Sequence, residues 1–194
     1  MSVRRLPKIV TALVAVLVAC AGLFGYATVE GYVTSPAAKS SVARSLGPRF
    51  GEVSDGIFRM GQPNPVFFRW IWKTWRFQTV VNLAWTGGST DLAEQRFLEA
   101  HGVRYVRFAW SSKGPTNADE IAEALDVIER APRPILIHCR AGRDRTGGLV
   151  GLWRLRHGAV LADVQHDWER YGLPAQGWQD AILAAPLPAG HVDP

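Results

Sequence analysis

Apolar residues fall along this chain in three rhythms. Over residues 9–29 they run almost unbroken, with Thr11 and Thr28 as the only mildly polar members, and about 20 such residues suffice to cross a bilayer as a helix. Residues 30–50 lose the pattern and turn small, polar and Pro-containing, which predicts a tether. From residue 51 the rhythm alternates. Short apolar, β-rich runs at 57–60, 79–84, 103–108 and 135–138 predict strands, whereas apolar residues spaced three and four apart predict helices over 64–76, 91–101, 116–131, 146–156, 161–171 and 176–185. The tail from Pro186 is proline-rich and predicted to be loose.

Strand and helix in alternation predict an α/β domain with a mainly parallel central sheet and helices on both faces, preceded by an N-terminal transmembrane helix. The expected organisation is a basic segment (1–8), an anchor (9–29), a linker (30–50), a folded domain (51–186) and a short tail (187–194). Helix 64–76 is dense in aromatics, with Phe67, Phe68, Trp70, Trp72 and Trp75. Core packing is the default reading of these residues, and an interfacial helix the alternative, because Arg69, Lys73 and Arg76 lie among them. In an open α/β sheet the loops at the C-terminal strand ends line the site, which makes residues 85–89 of the Gly-rich stretch 85–90 a candidate rim.

Charge changes this picture little. The 194-residue chain carries a formal +5, yet residues 1–49 hold six basic side chains against Glu30 alone, so the remainder is neutral. No nucleic-acid partner is expected, and any positive field in the domain must be local. Arg4, Arg5 and Lys8 ahead of the apolar run predict a single-pass protein with its domain on the extracytoplasmic side. The alternative is a lipoprotein acylated at Cys20, within Leu17-Val18-Ala19-Cys20. Cys20 and Cys139 are the only cysteines; no spacing suggests a metal, no cofactor is implied, and oligomeric state is not readable.

The chemistry concentrates in Leu136-Ile137-His138-Cys139-Arg140-Ala141-Gly142-Arg143-Asp144-Arg145-Thr146-Gly147. A strand feeding a tight loop that enters a helix aims several free N–H groups at one point, and the helix dipole adds positive charge there. That is a phosphate cradle, lined by Arg140, Ala141, Gly142, Arg143, Asp144 and Arg145. The same field favours the thiolate form of a cysteine. The planar fork of Arg145 suits two phosphate oxygens. Thr146 is read as a hydroxyl donor to sulfur, and His138 as orienting the loop through its ring nitrogens. A rhodanese-like loop would be one residue shorter than this one.

These residues closely resemble the His-Cys-x5-Arg-Thr signature of the protein tyrosine phosphatase superfamily, in particular its dual-specificity and lipid-phosphatase-like bacterial members. Phe58-Arg59-x-Gly61-Gln62-Pro63 resembles the opening common in that branch. The resemblance implies a metal-independent hydrolase working through a phosphocysteine intermediate, with Cys139, Arg145, Asp144, Thr146 and His138 as catalytic residues. The loop 109–116, where the superfamily supplies an aspartate as general acid, contains no carboxylate. Myotubularin-like relatives carry an aspartate at the position of Asp144, where it has been proposed as the acid; a structural partnership with Arg143 or Arg145 is the competing role. Asp119 is explained by the first turn of its helix. Lys113 could meet anionic substrate groups. The expected substrate is a phosphorylated protein, chiefly phosphotyrosine, with phosphoinositide or inositol phosphate as the alternative. A catalytically weak phosphate-binding module is the reading from a different class.

Overall fold

The computed structural model describes residues 49–184, apart from positions 55, 64, 85–88 and 116. Five strands form one sheet in the order β1-β2-β5-β3-β4: β1 (Gly51–Ser54), β2 (Ile57–Gly61), β3 (Thr79–Asn82), β4 (Arg104–Arg107) and β5 (Ile135–Cys139). β2, β5, β3 and β4 are parallel, and β1 adds antiparallel to β2 at the edge. The sheet is thus mixed and mainly parallel. The edge strand β1 escapes a pattern-based reading because Gly51-Glu52-Val53-Ser54 has no apolar run.

β5 lies at the centre with all five residues buried, and its alternation builds two cores. Leu136 joins Phe58, Met60 and Val80 against α1 (Pro65–Trp75) and α2 (Ser89–Ala100). Ile135 and Ile137, pointing the other way, join Val81 against α3 (Ala118–Arg130), α4 (Asp144–Arg156), α5 (Leu161–Tyr171) and α6 (Gln176–Leu183). A period of two along one strand therefore sorts the helices onto two faces.

The aromatic density of α1 is accounted for by packing. Phe67, Phe68 and Ile71 are buried, and Trp70, Trp72 and Trp75 lie against the same cluster. Trp75 stands 4.9 Å from Phe50 and Trp72 5.5 Å from Phe97, centroid to centroid. On the opposite face α4 is nearly all buried. It is crossed so closely by α6 that a Cβ on Gly148 would stand 2.1 Å from the Trp178 ring.

One expectation is corrected here. Among the described residues no helix is long and apolar enough to cross a membrane, which overturns the single-pass, extracytoplasmic placement. The run at 9–29, Cys20, the linker up to residue 48, the rim positions 85–88 and the tail all lie outside the described residues.

Candidate active site

The loop between β5 and α4 leaves the sheet from its central strand, where the ends of β2 and β3 flank it. Gly61 and Asn82 pair with Cys139 and His138 respectively. α4 begins at Asp144, two residues before the pattern-based start. The N–H of Gly147 donates to Arg143 O at 2.8 Å, closing the first turn.

What shapes the loop comes from outside it. Three successive carbonyls are each held by a donor on another element: Arg140 O accepts from Gln62 N at 3.1 Å, Ala141 O from Arg49 Nη1 at 2.9 Å, and Gly142 O from Arg59 Nη2 at 2.8 Å. Pulling the carbonyls outward turns the intervening N–H groups toward the loop's concave side, the arrangement of an anion nest. The Gly142 N–H donates to Cys139 Sγ at 3.2 Å. Gly142 sits at φ +70°, and a Cβ there would lie 2.4 Å from Gly61 N and 2.6 Å from Met60 C. Both the left-handed backbone and the close approach to β2 demand glycine. Gly142→Ala is therefore expected to lower the thermal midpoint by about 5 °C or more, measured by calorimetry; an unchanged midpoint would refute this account of the loop.

Cys139 is a free, buried thiol. Arg145 is buried as well, and its Nη1 donates to Leu83 O at 3.2 Å, just past β3, and to Trp110 O at 3.3 Å, in the loop after β4. These bonds fix the guanidinium plane while Nε stays without a hydrogen-bond partner. A buried donor left free on a pre-positioned fork is what an oxyanion would satisfy.

His138 Nε2 lies 3.2 Å from Glu94 Oε2 on α2, both side chains buried, in a contact that is not a well-aligned hydrogen bond. Glu94 in turn receives Asn82 Nδ2 at 3.4 Å, and Asn82 donates to Tyr105 Oη at 2.9 Å. Burial above all raises the Tyr105 phenol to about 12, so it remains protonated around neutrality. Thr146, expected to donate to sulfur, makes no hydrogen bond through Oγ1 among the described residues. Its position in the first turn of α4 leaves the Gly142 N–H as the donor that meets Sγ.

Asp144 is tied down on both sides. Oδ1 accepts from the Ala175 N–H at 2.8 Å, and Arg143 reaches Oδ1 at 3.2 Å and Oδ2 at 3.3 Å. The carboxylate thus fastens the entry of α4 to the segment before α6. Arg140 is exposed and Arg143 roughly half-exposed on the loop. Asp119 lies exposed, its N–H taken by the Asn117 side chain as the cap of α3. Reading the sequence missed Arg49 and Phe50, assigned there to the tether. It also missed Glu94, Asn82 and the strut function of Arg59 and Gln62. The Phe-Arg-x-Gly-Gln-Pro run was the one available signal.

A sequence model of the tyrosine phosphatase family matches residues 47–182. The chain is 32% identical over 128 residues to the inositol diphosphatase DSP3 of Arabidopsis thaliana, a match covering 62% of this chain and 61% of that protein. It is 33% identical over 127 residues to the inositol diphosphatase DSP1 of Oryza sativa subsp. japonica, covering 63% of this chain and 56% of the relative. Less than two thirds of each relative is therefore spanned. Among solved structures, it is similar to the core catalytic domain of the PP-IP phosphatase SIW14 of S. cerevisiae, with TM-score 0.64, 22% identity, and coverage of 71% of this chain and 85% of that one. It is also similar to TpbA of P. aeruginosa, with TM-score 0.59, 17% identity, and coverage of 74% and 87%. At these identities the structures speak to the fold alone. A family match running from the strut at Arg49 to the last turn of α6, around a loop that carries a buried thiol and leads into a helix bearing a buried, pre-positioned arginine, makes this chain a member of the tyrosine phosphatase family of phosphoric monoester hydrolases.

Proposed function

We propose that this chain is a cysteine-dependent phosphatase that favours phosphoryl groups on weakly basic leaving groups, inositol diphosphates first and phosphotyrosine second. Sulfur of the Cys139 thiolate attacks phosphorus in line. The S–P bond forms as the P–O bond to the leaving group breaks, while the loop N–H groups and Arg145 hold the equatorial oxygens. Water then attacks the phosphocysteine, releasing inorganic phosphate and returning the thiolate. His138 backs the nucleophile from β5.

The observation that carries the leaving-group preference is that the carboxylate within the loop's own helix entry and the one behind His138 are already engaged. Asp144 is held by Ala175 and Arg143 and Glu94 lies against His138; Asp91 spends Oδ1 on Gln62, while its buried Oδ2 has no hydrogen-bond partner. A phosphate or phenolate departs with little help from a proton donor, whereas a serine alkoxide needs one. The names of the Arabidopsis and rice relatives support placing inositol diphosphates first. So do Arg140 and Arg143, which supply positive charge for a substrate carrying several phosphates.

The test is a panel run on the full chain. kcat/KM for an inositol diphosphate and for a phosphotyrosine peptide should exceed that for a phosphoserine peptide by about 100-fold, the scale of a general acid's contribution. Comparable rates on phosphoserine would sink the preference. Asp144→Asn keeps an acceptor for the Ala175 N–H and should leave the phosphotyrosine rate within about threefold. A selective loss of tenfold or more on phosphoserine alone would instead make Asp144 the proton donor.

A further inference from the structure

Arg59 is the most deeply buried cation among the described residues, 2% exposed in the middle of β2. None of the ion pairs found there joins it to a carboxylate. Its guanidinium stacks 4.3 Å from the Tyr171 ring centroid, Nη2 donates to Gly142 O, and Nε has no hydrogen-bond partner. Burial pushes the group down to about 10, against the opposing influence of Tyr171, Asp167 and Cys139, so it is still charged at neutral pH. A buried charge costs several kcal/mol unless an opposite charge or a good set of hydrogen bonds offsets it. One carbonyl and one ring are a thin set.

Asp167, the one carboxylate that acts on Arg59, is itself paired with Arg154, and a second counter-charge lies on the far side of a single peptide group. Gly142 presents its carbonyl to Arg59 and its N–H to Cys139 Sγ. A cation on the carbonyl polarises that residue so that its N–H becomes a stronger donor to a negative sulfur. The register helps: Arg59 pairs with Ile137, two residues before the cysteine.

We infer that Arg59 is a positioning residue for the nucleophile: through Gly142 it aims a donor at Cys139 and supplies the buried positive charge that the thiolate balances. The inference deepens the phosphatase reading and rests on it for its purpose, though not for its test. The other charged and titratable groups around the thiol and Arg59 are His138 on β5 with Glu94 behind it, Arg140 and Arg143 on the loop, Asp144 and Arg145 on α4, Tyr171 and Asp167 on α5, and Arg49 ahead of β1. Asp144 and Glu94 already have partners. Arg145 faces its own carbonyl acceptors, and Arg49 holds Ala141 O and Tyr171 O at the more exposed side.

The test follows the alkylation of Cys139 by iodoacetamide in the full chain, read on the peptide that contains it because Cys20 is a second thiol. A neutral reagent keeps the anion cradle from biasing the rate. Thiolate is the reacting form, so Arg59→Met should slow alkylation at pH 6 by about tenfold or more while converging on the wild-type rate at pH 10. Arg59→Lys, which keeps the charge, should stay within about threefold of wild type at pH 6. A Met variant that matches wild type at pH 6, or that is slowed equally at both pH values, overturns the inference, because loop damage alone would not depend on pH. If Arg59→Met does not fold, the Lys variant decides: a tenfold loss at pH 6 overturns, retention supports. A wild type that alkylates readily at pH 6 yet turns over no phosphate defeats the phosphatase reading and leaves the role of Arg59 standing.

Discussion

Cys139→Ser should abolish turnover of an aryl phosphate, by a factor on the order of 10⁴ or more, the scale of nucleophile deletions in covalent enzymes. Serine fits the same buried position, and the Gly142 N–H can meet Oγ as it meets Sγ. What is lost is the nucleophile's charge: a serine hydroxyl stays protonated where a cysteine thiol can ionise. The thermal midpoint should move by only about 2 °C, so the loss cannot be attributed to unfolding. Steady-state kinetics and calorimetry on the two purified chains check it. Residual turnover above about one per cent would remove Cys139 from the nucleophile's role. A wild type that binds an aryl phosphate without turning it over would instead favour the phosphate-binding module.

Arg145→Lys should lower kcat/KM by about 10² to 10³ without restoring any function through its charge. The fork is held by Leu83 O and Trp110 O, which leaves the remaining N–H groups to clasp two oxygens at once. A lysine ammonium offers a point charge and can satisfy the carbonyls or the phosphate, but not both in the same plane. The carbonyls would keep a partner, so stability should fall by less than about 1 kcal/mol. A lysine variant within threefold of wild type would show that charge alone, and not the bidentate geometry, is what the site uses.

Much of the fold was legible. The period-two burial of β5 and the spacing in α3 to α6 are written in residue order, and the mainly parallel α/β arrangement follows from them. The edge strand β1 was not, because Glu52 and Ser54 face outward and only pairing with β2 makes the segment a strand. The membrane placement drawn from residues 9–29 found no support in any described helix.

At the site the division is sharper. Phe58 to Pro63 was visible as a family mark, yet nothing in its order says that Arg59 and Gln62 each grip a carbonyl of the catalytic loop. Asp144 could be named from its place before Arg145, but its partnership with Ala175 could not, since the N–H it binds lies 31 residues on.

By itself, then, the sequence determined the strand–loop–helix frame and placed in it a cysteine, an arginine fork and the glycine at the left-handed turn. All of these are consequences of local backbone geometry within twelve consecutive residues. Only the tertiary structure decided how that loop is held open for an anion. Its outward carbonyls are satisfied by Arg49 and Arg59, 92 and 83 residues away along the chain, and a hydrogen bond between distant segments exists only once the sheet has brought them together.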